Sequence, residues 1–250
     1  MSPDQLSGTT ALVTGASRGL GRGVAVALAQ AGANVVAVAR NTAGLTELQA
    51  ELGDRVIPVA ADAADPVAAG TLIDRYAPRL LVLAAGASPL SRPVHYQTWQ
   101  TFSKNWEVDV QQVFHWTREA LLRPLASGSA VIAFSSGAVL AGSPLSGGYA
   151  GAKATIRYIM AYAAEESERS GLGISFTSVL PQLTHATDLG AAAVSAYAAR
   201  AGQDIAEFIA SRGPSLTPDI AGKAVLDLAT GADASAGAYL LSAAGLKPLQ

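Results

Sequence analysis

Thr9-Thr10-Ala11-Leu12-Val13-Thr14-Gly15-Ala16-Ser17-Arg18-Gly19-Leu20-Gly21 is the stretch on which the reading of this chain turns. Ala11 to Val13 is a short apolar run that reads as a buried strand leading into the glycines. The segment after them, with Val24 and Leu28, is an Ala-rich helix pattern ending near Gly32. A strand, a Gly-rich turn and a helix N-terminus in that order make an anion site, because free backbone N–H groups and the helix dipole point at it. Glycine is required where the backbone turns sharply or must touch a pyrophosphate. The spacing is Gly-x-x-x-Gly-x-Gly, not the Gly-x-Gly-x-x-Gly of the usual dinucleotide fingerprint. Taken alone it also fits a plain Gly-rich turn in an α/β protein.

Apolar runs alternate with helix-like segments along the rest of the chain. Strands are predicted at Ala11 to Val13, Val35 to Ala39, Val56 to Ala60, Leu80 to Ala84, Ala130 to Phe134, Ile174 to Leu180 and Ala238 to Leu241. Most are continuously apolar, as parallel strands covered on both faces are. Asp65-Pro66 and Thr217-Pro218 each read as an N-cap followed by proline at the first helical position. Strand–helix alternation with right-handed crossovers gives a single-domain α/β, doubly wound (Rossmann) sheet of about seven parallel strands with helices on both faces. A length of 250 residues with no linker, charge run or repeat fits one domain over 1–250. Ligands of such a sheet bind outside the strand C-termini, where Gly15, Gly86, Ser136 and Pro181 all fall.

Composition narrows the function classes. A net charge of -2 without a basic cluster argues against nucleic acid. The absence of cysteine excludes disulfides and Cys-ligated metals, and the three histidines lack ligand spacing, so no metal is expected. Met1-Ser2-Pro3-Asp4-Gln5 lacks the basic start and apolar core of a secretory signal. The uncharged run Gly23 to Ala39 is shorter than the ~20 residues of a spanning helix and is broken by Gln30, Gly32 and Asn34. A soluble, cytoplasmic protein is expected.

Ser136 and Tyr149-Ala150-Gly151-Ala152-Lys153 carry chemistry. A Tyr and a Lys four residues apart on a helix share one face. Beside an ammonium, a phenol of ordinary pKa about 10 ionises or donates its proton more easily. Ser136, reached across a loop, would orient a carbonyl or alcohol oxygen against that phenol. Ser135 has the same chemistry, but strand alternation points it elsewhere.

With the Gly-rich turn, these residues resemble the short-chain dehydrogenase/reductase family nearly end to end. Thr14-Gly15-Ala16-Ser17-Arg18-Gly19-Leu20-Gly21 is similar to its cofactor motif, and Tyr149-x-x-x-Lys153 to its active-site motif. Ser136 stands thirteen positions before Tyr149, as in ketoacyl-carrier-protein reductases. Asp62 resembles the family's adenine-contacting Asp, Ala84-Ala85-Gly86 stands where Asn-Ala-Gly is usual, and Ala236 to Gly245 resembles its last strand. The resemblance implies a catalytic set of Ser136, Tyr149, Lys153 and Asp109. It implies a cofactor site of Gly15, Ser17, Arg18, Gly19, Leu20, Gly21, Arg40, Asp62, Ala63, Ala85, Gly86, Tyr149, Lys153 and Pro181. A substrate lid around 183–212 and a homodimer or homotetramer built on the long central helices are implied as well.

Three positions depart from the family pattern. Asp109 replaces an Asn thought to help a water chain reach the active-site Lys; an ionised Asp109 would favour charged Lys153 and alter the titration of the relay. Ala84 removes an amide that usually braces the cofactor-side strands. Pro181-Gln182 replaces Pro-Gly, so the backbone at Gln182 needs no glycine-only conformation or the loop is reshaped.

The second predicted strand ends Val38-Ala39-Arg40. NAD-binding relatives carry at Ala39 an Asp that accepts both ribose hydroxyls. Ala39 cannot, whereas Arg40 and Arg18 have the guanidinium geometry for a 2′-phosphate. An NADP(H)-dependent carbonyl reductase or alcohol dehydrogenase with a small-molecule substrate is the expectation. The alternatives are an NAD-dependent alcohol dehydrogenase and a dinucleotide-binding sensor or scaffold without turnover. His185, in the lid segment, is a candidate substrate contact. Trp99, Trp106 and Trp116 read as core or subunit packing.

Overall fold

Side chains along a strand alternate between faces, and here both faces are apolar. Ala11 and Val13 point into one core and Leu12 into the other; Val35 and Ala37 join the first, Val36 and Val38 the second. Such a sheet is stable only with a helical layer on each side. The computed structural model of the protein describes residues 5–231 and 237–249 and has that arrangement. Met1 to Asp4 of the N-terminal reading and Ala236 of the last-strand resemblance lie outside the described residues.

The strands are β1 (Thr10–Thr14), β2 (Asn34–Ala39), β3 (Val56–Ala60), β4 (Leu80–Leu83), β5 (Ala130–Phe134), β6 (Ser175–Pro181), β7 (Ala238–Ser242) and β8 (Gly245–Pro248). They form one sheet in the order β3-β2-β1-β4-β5-β6-β7-β8. The seven expected strands are parallel to their neighbours. β8 is an addition: it turns back antiparallel on β7. Gly245-Leu246-Lys247-Pro248 is too short and too mixed in character to announce a strand. Both edges of the sheet carry a proline, Pro58 in β3 and Pro248 in β8.

The helices are α1 (Gly19–Gln30), α2 (Thr42–Leu52), α3 (Pro66–Tyr76), α4 (Trp99–Asn105), α5 (Gln111–Leu122), α6 (Ala138–Ala141), α7 (Gly147–Arg169), α8 (Asp188–Ala201), α9 (Ile205–Ala210) and α10 (Pro218–Ala229). Val24 and Leu28 of α1, Leu45 and Leu48 of α2 and Val225 of α10 fill one core. Leu72 of α3, Val113 and Trp116 of α5 and Ile156 and Met160 of α7 fill the other. Both proline N-caps form as expected: the Asp65 side chain accepts from the Val67 N–H, and that of Thr217 from the Ile220 N–H. Between α4 and α5 the chain makes a π-helical turn, Trp106–Val110.

The tryptophans divide. Trp116 is fully buried and its indole N–H donates to the Ala63 carbonyl at 2.9 Å, whereas Trp99 is 76% exposed. Among the described residues no helix is long and apolar enough to cross a membrane. Trp116→Ala should cost about 3–5 kcal/mol through the cavity it leaves, and Trp99→Ala no more than ~0.5 kcal/mol. Denaturant midpoints of the two variants check this.

Candidate active site

In the strand order, β1 lies between β2 and β4, so the chain leaves β1 and β4 in opposite directions and a crevice opens between their C-termini. Gly15 follows β1 into this crevice with φ +70°, and a Cβ there would stand 2.7 Å from Cα and N of Ala85. A Cβ on Gly21 would fall 2.4 Å from the Gly15 carbonyl oxygen. The turn is therefore folded tightly against the loop after β4, and α1 starts beside it with no side chain capping its first turn.

The amide missing at Ala84 has a substitute. Thr14 Oγ accepts from the N–H groups of Ala84 (3.1 Å) and Ala85 (3.3 Å) and reaches Gln112 Oε1 at 2.5 Å. Gln112 Nε2 donates to the Ala85 carbonyl at 2.9 Å. The sequence reading missed Gln112, although a glutamine one position before Val113 on the buried stripe of α5 is a signal of a satisfied polar contact.

Every residue assigned to the site from the sequence lines one cleft of about 1280 Å³, from Arg18, Arg40 and Asp62 at one end to Ser136, Tyr149 and Pro181 at the other. Ala39 ends β2 without a carboxylate, and Arg40 beside it is 68% exposed, 3.8 Å from Asp62. Arg18, at the N-cap of α1, pairs with Asp188 of α8 at 3.1 Å, so α8 touches the Gly-rich turn. Gln182 has no positive φ, and its N–H donates to the Leu241 carbonyl at 2.8 Å, which removes the need for glycine there.

At the other end, β5 delivers the two serines to different tasks. Ser135 donates to the main-chain carbonyl of Lys153 at 2.7 Å, while Ser136 accepts from the Ala138 N–H at 3.2 Å and lines the cleft. Tyr149 stands half-buried in the first turn of α7, with Lys153 one turn on. The Lys153 ammonium is buried, donates to the Phe134 carbonyl at 3.0 Å and lies 5.6 Å from the Tyr149 ring centre. Asp109 Oδ2 is also 3.0 Å from it, off the direction of a good hydrogen bond, so charge carries the contact more than directional bonding does. Burial pushes the Lys153 pKa down, but the charges of Asp109 and Tyr149 and the polar contact with Asp109 together leave it raised. A proton held more tightly in the folded state stabilises the fold below the ordinary lysine value, and that contribution is lost as pH rises through the folded one.

Helices α8 and α9 form one packed unit through Val194, Ala198 and Phe208. Tyr197 ties it to the segment before α7: its hydroxyl is 2.6 Å from Ser143 Oγ and accepts from the Leu145 N–H at 3.4 Å. His185 faces the cleft, with Nδ1 3.1 Å from Ser215 Oγ.

The chain belongs to the short-chain dehydrogenase/reductase family, whose model, short chain dehydrogenase, matches residues 9–198. It is similar to a short chain dehydrogenase of Pseudocercospora fijiensis, with 35% identity over 181 residues, 67% of this chain and 58% of that protein. The chain thus spans less than two thirds of that relative's length. Among solved structures it resembles a 3-ketoacyl-(acyl-carrier-protein) reductase from Brucella melitensis complexed with NADH, at 23% identity and TM-score 0.76, covering 93% of this chain and 96% of that one. It also resembles a metagenomic short-chain oxidoreductase in complex with NADP, at 22% identity and TM-score 0.73, covering 99% and 100%. At these identities the likeness is one of fold.

The contact between the Gly15 turn and the β4 loop can be weighed against backbone conformation alone. Gly202, at φ +66°, has nothing within 4 Å of its Cβ position. Gly202→Ala should cost about 1–2 kcal/mol for the left-handed backbone, and Gly15→Ala about 3 kcal/mol or more, since backbone must also move. Thermal unfolding of the pair gives the difference.

Proposed function

We propose that this chain is an NADP(H)-dependent oxidoreductase acting on a small-molecule carbonyl or alcohol. The observation that carries this reading is the meeting of Ser136, Tyr149 and Lys153 with the Gly15 turn in one cleft. The cradle fits a dinucleotide: only a backbone without Cβ leaves Gly15 and Gly21 this close to their neighbours, and the uncapped first turn of α1 offers N–H groups to a pyrophosphate. Gly15, Ser17, Gly19, Leu20 and Gly21 would hold the phosphates, Asp62 and Ala63 the adenine, and Ala85, Gly86, Pro181, Tyr149 and Lys153 the nicotinamide half. Arg18 and Arg40 would take the 2′-phosphate, in place of the ribose contact that Ala39 cannot make.

When bound, the nicotinamide supplies or accepts the hydride. Ser136 holds the substrate oxygen by a hydrogen bond. Tyr149 gives that oxygen a proton in reduction and takes one in oxidation, with the Lys153 ammonium one turn away on the same helix face. The lid of α8 and α9, fastened by Tyr197, excludes water from the far side. Assembly as a homodimer or homotetramer belongs with this reading, supported by exposed Phe114, Tyr158 and Tyr162 on α5 and α7.

NADPH should bind far more tightly than NADH when each is titrated against tryptophan fluorescence, and Arg40→Ala should weaken NADPH about ten- to a hundredfold while leaving NADH nearly unchanged. Equal losses for both would sink the NADP(H) assignment. With a substrate found among aldehydes and ketones, Tyr149→Phe should lower turnover by about 10²–10⁴ at unchanged NADPH affinity; survival of turnover would remove Tyr149 from the chemistry.

A further inference from the structure

Asn105 precedes the π-helical turn between α4 and α5, Asp109 lies within it, and their side chains meet. Both are 1% exposed. Asn105 Nδ2 donates to the Ala87 carbonyl at 2.6 Å, and Asp109 Oδ1 accepts the Ala87 N–H at 2.8 Å, so both sides of this residue of the β4 loop are held. An asparagine at 109 would accept that N–H equally well through its amide oxygen. The brace therefore does not account for the charge. The second oxygen does: Oδ2 takes no part in the brace and faces Lys153 Nζ at 3.0 Å.

We propose that Asp109 is a positioning residue that sets the titration of the Lys153–Tyr149 pair, fixing the ammonium in place and drawing part of its field away from the phenol. The proposal rests on the reading of Tyr149 and Lys153 as the proton-handling pair. The charged and titratable groups acting on Lys153 are Asp109 from the π-helical turn and Tyr149 from its own helix. β5 offers only neutral partners, the Phe134 carbonyl and the Ser135 hydroxyl, and the β4 loop meets Asp109 through the backbone of Ala87.

Lys153 and Tyr149 interact by charge, and for titratable groups that interact strongly the apparent pKa values belong to the pair. Whether the first proton leaves Tyr149 or Lys153, the pair loses positive charge. A neighbouring carboxylate opposes that loss and delays it to higher pH. Removing the carboxylate's charge must move the first step to lower pH, by about one to three units for a charge at this range.

The test is NMR titration of protein carrying isotope-labelled lysine and tyrosine. Lys153 is one of only four lysines, which makes its signal assignable through Lys153→Met. In Asp109→Asn the first titration step of the Lys153 and Tyr149 signals should fall by about one to three pH units. An unchanged or higher step would overturn the proposal. Should Asp109→Asn not fold, the parent protein decides: Lys153 must stay charged beyond the ordinary lysine range, and titration at or below that range would overturn it. The signals need neither substrate nor turnover, so a failed reductase assignment would show itself separately, as absence of NADPH binding and oxidation.

Discussion

The parting of β1 and β4 is the constraint on which the rest of the molecule depends. Neighbouring parallel strands whose connections run to opposite faces cannot close the space above their C-termini. What fills it here is backbone: the Gly15 turn rests on Ala85, and Thr14 and Gln112 supply the hydrogen bonds that hold the two loops at that separation. The base of the crevice is consequently held by backbone packing and by hydrogen bonds between the two loops. Its upper wall, α8 and α9, is attached mainly through side chains such as Tyr197 and Asp188.

The buried charges at the far end follow a different logic. An ion pair removed from water seldom stabilises a fold more than apolar residues of the same size would, and losing one partner strands the other. Lys153 and Asp109 are both almost fully enclosed, which makes stability a poor explanation for them. Their surroundings suit control of one proton better: a carbonyl and a carboxylate around an ammonium, with a phenol on the same helix face.

Much of the sheet was legible because its signal is redundant. Val35 to Ala39 and Ala130 to Phe134 are apolar on both faces, which only a doubly covered strand tolerates. The meeting of these residues in one cleft was legible because glycine spacing and the Tyr–Lys interval are short-range patterns that survive without coordinates. β8 was not, since its pairing with β7 comes from a tight turn and not from apolar character. Asn105, Gln112 and Tyr197 were missed for a related reason: each acts on a partner remote in sequence, and a lone polar residue on a helix does not disclose which loop it will meet. The attraction between Asp109 and Lys153 was foreseeable in sign from their charges, but the closeness of the contact depends on the π-helical turn.

The prolines at the two sheet margins bear on how copies of this molecule can meet. A strand at the border of a sheet offers unpaired N–H and C=O groups to any other strand that approaches. Pro58 removes a donor from one border and Pro248 from the other, and β8 is only four residues long. Neither margin presents an uninterrupted ladder for a second chain to continue. Growth by strand addition, the route to fibrous aggregates, is thus obstructed at both margins of the described sheet.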